Sequence, residues 1–172
     1  MIKGLHHNAY RCRDSEETRK FYEEFLGLPL VNAFEITETK SGRMTHVLHS
    51  FYAMDDGSCV AFFDLGDNQS AAPSPNTPEW VNHLALRVGS LAELEAAQAR
   101  LTAAGIDVLG PTDHHFIKSI YFFDPNGIRL ELTTPTLPEA HPTLRKYQRD
   151  AHDELAEWTR EKSRRHSAHA RS

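Results

Sequence analysis

The chain has 172 residues, 40% of them hydrophobic and 25% charged, which fits one compact domain or two small modules that share a core. Its 19 Lys and Arg residues against 24 Asp and Glu residues give a formal net charge of -5. No basic stripe runs along the body of the chain, and this argues against a nucleic-acid partner. The sequence offers neither an apolar run long enough for a membrane span nor a signal-peptide core, so we expect a cytoplasmic protein. Cys12 and Cys59 form no disulfide or metal motif, which suits a reducing compartment.

The first half of the chain has the pattern of a βαβββ module. An alternating strand begins at His7, and Asp14, seven residues later, is placed to cap a helix. Glu17 lies three residues after Asp14 and completes a capping-box pattern, while Gly27 is placed to end the helix. Three strand-like runs follow, at about residues 28–36, 44–54 and 58–65.

The second half repeats this pattern. His83 begins an alternating strand, Ser90 and Glu93 form the second capping-box pattern, and Gly105 is placed to end the second helix. Strand-like runs again follow, at about residues 106–112, 117–123 and 128–134. We therefore predict an α+β fold of two paired βαβββ modules that form a cup of curved sheets, the modules at about 1–66 and 80–135 with a linker at 67–79.

The repeat does not account for residues 136–172. Apolar residues at helical spacing predict an amphipathic helix from 143 to about 164, followed by a basic tail; they are Leu144, Tyr147, Ala151, Leu155 and Trp158. Two positions of this helix stay open. It packs on the outside of the body or on a second subunit, or it covers the cup.

Strand alternation places polar residues on the cup side of the second module. Leu130 and Leu132 face the helices, so Glu131 between them points to the opposite side. Alternation places His83 on that side as well, and the repeat gives His7 the equivalent position in the first module. A buried carboxylate needs a partner, and two imidazoles with one carboxylate suit a divalent metal. Fe(II) is the usual occupant of such a triad, while Mn(II), Zn(II) and Ni(II) are also accepted.

Other candidates have structural explanations. A lone strand histidine is more often a hydrogen-bonded core residue than a ligand, and whether His49 reaches the cup stays open. His114 and His115 are also compatible with ordinary loop positions, and Tyr121 with a strand aromatic whose hydroxyl lies in solvent. The Asp-Pro-Asn-Gly run at 124–127 predicts a tight structural turn.

The segment from 112 to 131 resembles a known signature. It reads as Thr112, His114, Ile120, Tyr121, Asp124, Pro125, Gly127 and Glu131. With the paired βαβββ modules over about residues 1–135, it is similar to the vicinal oxygen chelate superfamily, and most like its type I extradiol dioxygenases. That resemblance implies Fe(II) held by His7, His83 and Glu131, His114 as acid–base residue and Tyr121 as hydrogen-bonding partner of the substrate. It also implies a small catecholic aromatic substrate and O2.

Three departures from the extradiol pattern keep alternatives open. Many extradiol enzymes have four modules and this chain has length for two, so we expect a homodimer or the C-terminal helix to complete the substrate wall. The spacing before Tyr121 leaves both His114 and His115 as candidates for the acid–base role. The strand with Cys59 and Ala61 lacks the histidine or carboxylate of some members. The alternative functions are a redox-neutral metalloenzyme (isomerase, lyase or thiol transferase) and a non-catalytic, aromatic-binding resistance protein.

Overall fold

The computed structural model describes residues 1–39 and 41–169, with side chains for residues 1–39 and 41–165. Two four-stranded mixed sheets form the body of the protein. The first sheet has the order β1-β4-β3-β2 and consists of β1 (His7–Cys12), β2 (Leu30–Glu38), β3 (Met44–Ala53) and β4 (Cys59–Asp64). The second has the order β5-β8-β7-β6 and consists of β5 (Leu84–Arg87), β6 (Leu109–Asp113), β7 (Ile117–Phe123) and β8 (Arg129–Pro135). The identical strand order confirms the predicted α+β fold of two βαβββ modules.

Each module has one helix between its first two strands, and both predicted caps are present. Helix α1 (Ser15–Arg19) begins after Asp14, whose carboxylate accepts a hydrogen bond from the Glu17 N–H at 2.7 Å. Helix α2 (Leu91–Ala103) begins after Ser90, whose hydroxyl oxygen accepts from the Glu93 N–H at 3.2 Å.

The structure departs from the prediction in two local features of these helices. The first helix does not continue as an α-helix, because residues Lys20–Phe25 form a wider π-helical segment. The capping boxes are also incomplete. The Glu93 carboxylate accepts from the N–H of Gly89, before the cap, and Glu17 instead pairs with Arg13.

The two sheets share one core through their helix-covered faces. Leu84, Leu86, Leu130 and Leu132 are buried on that face of the second sheet, as alternation predicts. They belong to one hydrophobic cluster with residues of the first module, among them Cys12, Tyr22, Tyr52, Val60 and Phe62. We call the opposite side of each sheet its open face. Register places His7, His49, Phe51 and Phe63 on the first open face, and Ser119, Tyr121, Arg129 and Glu131 on the second. His83, just before β5, contacts Glu131 on the second open face.

A buried polar cluster joins the two modules at the turn that follows β7. The Tyr22 hydroxyl donates to Asp124 Oδ2 at 3.0 Å, and the Asn126 side-chain amide donates to the Thr18 hydroxyl at 3.2 Å. The Arg13 N–H donates in turn to Asn126 Oδ1 at 2.9 Å. Asp124 is only 5% exposed, and this burial raises the pKa of its carboxyl group. The turn is therefore structural, as the sequence indicates, and it also bonds the second module to the first.

Helix α3 (Pro142–His169) extends five residues beyond the predicted end at 164. Tyr147 makes an edge-on contact with Phe116 at 5.8 Å between ring centroids. Further along, Leu155 and Trp158 are 64% and 56% exposed, so the apolar stripe is largely uncovered in the single chain. Residues 170–172, at the end of the basic tail, lie outside the described residues.

Within the described residues, no helix has both the length and the apolar character to cross a membrane. The cytoplasmic location stays a prediction.

Replacing Asp124 by Ala is expected to lower the free energy of unfolding by about 3 kcal/mol, because the Tyr22 hydroxyl and the Asn126 and Ile128 N–H groups lose a buried acceptor. Urea denaturation followed by circular dichroism measures this change. Asp107→Ala, at an exposed position, is the matched control and should leave the urea midpoint unchanged. Equal midpoints for the two variants would show that the cluster does not hold the modules together.

Candidate metal centre

Glu131 and His83 form a close pair on the second open face. Strands β5 and β8 are parallel neighbours, with Ala85 opposite Glu131, so His83 just before β5 reaches the carboxylate. His83 Nε2 lies 3.0 Å from Glu131 Oε2. The other carboxylate oxygen, Oε1, accepts a hydrogen bond from the Ser119 hydroxyl at 2.5 Å. Glu131 is 4% exposed, so a buried carboxylate faces a partly exposed imidazole.

The second ring nitrogen of His83 determines what the pair can bind. His83 Nδ1 lies 3.2 Å from the Val81 carbonyl oxygen, and a carbonyl oxygen only accepts, so Nδ1 carries the hydrogen. In the neutral imidazole, Nε2 then directs its lone pair at the carboxylate. Two electron-rich atoms at that distance repel each other unless both bind a cation or the ring is protonated. A backbone carbonyl on the other ring nitrogen is also the usual support of a metal-binding histidine.

The pair fits a divalent metal by distance as well as by chemistry. Imidazole nitrogen and carboxylate oxygen each lie about 2.1 Å from a bound metal, and two such bonds at right angles separate the donors by about 3 Å. The distance between His83 Nε2 and Glu131 Oε2 is 3.0 Å. These two residues therefore have the arrangement of neighbouring ligands.

The structure does not bring His7 to this pair within one chain. The His7 ring contacts Phe51 and His49 on the first open face, at 5.4 and 6.2 Å between ring centroids. Its Nδ1 lies 2.7 Å from Nδ1 of His6. Among the described side chains, those of residues 1–39 and 41–165, no group of three or more His, Cys, Asp or Glu residues is placed to hold a metal. The reason lies in the packing, because the two sheets share a core through their helix-covered faces.

His49 lies on the same open face as His7, a question that the sequence leaves open. It is 6% exposed, and its ring stacks on Phe63 with the centroids 3.7 Å apart. Nδ1 lies 2.9 Å from the Phe62 carbonyl oxygen, so Nδ1 carries a hydrogen. With Phe34 and Phe51, His49 gives the first open face an aromatic surface beside His7.

A cavity of about 460 Å³ opens beside the His83–Glu131 pair, and Tyr121 and residues 113–117 line the rest of it. His114 Nε2 lies 2.9 Å from the Tyr121 hydroxyl oxygen. Burial raises the pKa of Tyr121 above its ordinary value, so this hydroxyl keeps its proton near neutral pH. His115 is exposed and has a φ of 72°, and its N–H donates to the Asp113 carboxylate at 2.7 Å. The geometry thus favours His114 over His115 as the partner of Tyr121.

Ser119 is the contact of Glu131 that the sequence interpretation missed. It is fully buried, and its hydroxyl also lies 3.0 Å from that of Thr133. Strand alternation could have predicted this contact, because Ser119 is two residues before Tyr121 on one strand and lies on the same face.

The paired modules, with a histidine–glutamate pair beside a cavity on one open face, define a protein that uses the vicinal oxygen chelate fold. The model of the glyoxalase/bleomycin resistance protein/dioxygenase superfamily matches residues 4–132. The chain belongs to this superfamily.

Similar proteins include two curated relatives and a solved structure. The uncharacterized protein YwkD of Bacillus subtilis is 29% identical over 134 residues, 77% of this chain and 97% of that protein. The metallothiol transferase FosB of Shouchella clausii is 26% identical over 165 residues, 90% of this chain and 94% of that protein. The fosfomycin resistance protein FosX of Listeria monocytogenes, solved with Mn(II) and sulfate ion, is 21% identical with a TM-score of 0.57, over 80% of this chain and 96% of that chain. At this identity FosX shows the fold alone.

Ser119→Ala is expected to weaken Mn(II) binding about 10- to 100-fold, because the hydroxyl that orients Glu131 is lost. Isothermal titration of the metal-free protein measures the affinity. Ser50→Ala, which removes another buried serine from the first module, is the matched control and should bind as the unmodified chain does. An unchanged affinity in Ser119→Ala would mean that Glu131 is no ligand or that it needs no orienting group.

Proposed function

We propose that this protein is a divalent-metal-dependent enzyme that adds a thiol or water to a small oxygen-bearing electrophile without net redox change. The observation that supports this most directly is the buried Glu131 carboxylate, 3.0 Å from His83 Nε2 at the edge of an open cavity. The similarity to a metallothiol transferase over 90% of the chain favours transfer chemistry over oxygen chemistry.

We further propose that His7 of a second copy completes the ligand set. Glu131 and His83 supply two ligands from the second open face, and His7 is the repeat-equivalent histidine on the first. In a homodimer, the first open face of one copy would cover the second open face of the other and bring His7 to the pair. The uncovered stripe of α3 offers a further apolar surface for this association. Mn(II), Zn(II), Ni(II) and Fe(II) all suit such a triad.

The metal, when bound, would polarise the oxygens of the substrate and stabilise charge that develops on them. His114 and Tyr121 line the other side of the cavity and would transfer protons to or from the substrate. A neutral imidazole accepts a proton near pH 7, and the protonated Tyr121 hydroxyl holds the ring in place or donates to a substrate oxygen. In an epoxide opening, a carbon–sulfur bond forms, a carbon–oxygen bond breaks, and the thiol proton ends on the new hydroxyl group.

A second candidate function is extradiol cleavage of a small catecholic aromatic by Fe(II) and O2. The hydrogen bond between His114 and Tyr121 favours it, since these are the two positions that the extradiol-like signature would use for acid–base chemistry and substrate binding. The aromatic surface beside His7 would also suit a flat ring.

One pair of assays distinguishes the two functions. The Mn(II)-loaded protein is incubated with fosfomycin, an epoxide-bearing phosphonate, and with cysteine, glutathione or water alone, and phosphorus NMR follows the adduct. The Fe(II)-loaded protein is incubated with a catechol panel in air, and the yellow ring-opened product is measured by absorbance. Metal-dependent adduct without ring cleavage supports the proposal; ring cleavage without adduct contradicts it and supports the second candidate.

His114→Ala is expected to lower turnover about 10²- to 10⁴-fold while leaving metal content unchanged, because it removes a proton-transfer group and no proposed ligand. His152→Ala removes an exposed histidine from α3 and is the matched control. If His115→Ala alone lowers turnover, the acid–base role belongs to His115.

The shared metal site is tested by mixing two inactive variants. His7→Ala and Glu131→Ala homodimers should each lose the metal. A heterodimer, purified with two different tags, should recover one metal per dimer, because its Glu131→Ala copy supplies His7 and its His7→Ala copy supplies His83 and Glu131. Elemental analysis measures the recovery. A metal-free heterodimer would contradict a shared site, and full metal content in the His7→Ala homodimer would show that His7 is no ligand.

A further inference from the structure

Arg129 is a cation on the second open face. It forms no ion pair within the described part of the chain, and the proposed chemistry does not use it. It lies on β8 two residues before Glu131, so both side chains project from the same side of the strand. Its guanidinium lies over the Tyr121 ring, 4.8 Å from the centroid, and 6.0 Å from the centroid of Phe123. Arg129 therefore borders the ring that lines the cavity beside the His83–Glu131 pair.

One donor of the Arg129 guanidinium lacks an acceptor. Among the described side chains, Arg129 Nε is the buried polar atom without a hydrogen-bond partner. The nearest carboxylate along the strand, Glu131, is engaged by Ser119 through one oxygen and faces His83 with the other. The stacking holds the guanidinium against the faces of the aromatic rings. These faces supply no hydrogen-bond acceptor in the plane of the guanidinium N–H groups.

The arginine of the first helix, Arg19, is paired with carboxylates. It is bonded to three glutamates, Glu16, Glu23 and Glu24. Arg129 is held by aromatic stacking, is partly withdrawn from water and has no carboxylate partner among the described residues. Its N–H donors are therefore available to bind a planar or tetrahedral anion.

We propose that Arg129 binds an anionic group of the substrate, a carboxylate, phosphate or phosphonate. This inference rests on the proposed function, because it names the class of molecule that would occupy the same site. Two residues along a strand span about 7 Å. The preferred ligand thus carries two neighbouring metal-binding oxygens at one end and a negative charge at the other, toward Arg129.

The test compares two ligands that differ only in the distant charge. The probes are 3,4-dihydroxybenzoate and 3,4-dihydroxybenzyl alcohol, which share the pair of neighbouring oxygens. Isothermal titration of the Mn(II)-loaded full chain should show the acid binding about tenfold or more tightly than the alcohol, as expected for a hydrogen bond to a charged group. Arg129→Gln should remove this preference by weakening the acid alone, and Arg129→Lys should restore part of it.

Arg87→Gln is the matched control, because Arg87 is an exposed arginine on the same open face of the second sheet. It should keep the preference for the acid, and circular dichroism of each variant checks the fold. Equal affinities for acid and alcohol in the unmodified chain, or a preference that survives in Arg129→Gln, would overturn the proposal.

The same titrations after treatment with EDTA separate this inference from the proposed function. A chain that binds no Mn(II) but still prefers the acid through Arg129 contradicts the metalloenzyme and supports the anion site. A chain that binds Mn(II) but treats the two probes alike contradicts the anion site alone.

Discussion

The buried acceptor Asp124 is the constraint on which the arrangement of the two modules depends. It receives hydrogen bonds from Tyr22 of the first module and from the N–H groups of its own turn. Burial disfavours its charged form, and these donors favour it, so the carboxyl group is stable there only while all of them are in place. Tyr22 and Asp124 belong to different modules, so their bond helps the shared hydrophobic core to hold the second sheet against the first.

That arrangement has a direct effect on the site. The modules pack through their helix-covered faces, and each open face is left without a helix. A histidine–glutamate pair thus lies on one face, and a histidine with an aromatic surface lies on the other. In the proposed homodimer, each face would supply part of the metal site. That association would leave the His83–Glu131 pair on neighbouring strands, where the sheet limits small displacements of a ligand.

The sequence predicted the features that depend on local pattern. Strand alternation placed Glu131 opposite its leucine neighbours, and the repeat identified Asp14 and Ser90 as helix caps; both outcomes are decided within a few residues of chain. The sequence placed His7 and His83 next to each other, whereas in the single chain they lie on the open faces of different sheets. That outcome depends on which sheet faces meet, and the choice is made by long-range contacts such as Tyr22 with Asp124. The unpartnered Nε of Arg129 could not be predicted from the sequence either, because a missing acceptor is recognised only when all neighbouring groups have known positions.

The π-helical segment Lys20–Phe25 limits how the length of the chain can change during evolution. An α-helix turns by about 100° per residue, so removing a residue from a helical segment rotates the side chains on one side of the deletion relative to those on the other. Phe21 and Tyr22 lie within the π-helical segment and are 8% and 0% exposed. Loss of one residue here would restore a regular helix, but it would rotate Tyr22 away from Asp124. Insertions and deletions should therefore be tolerated in the linker between the modules and selected against in this single turn.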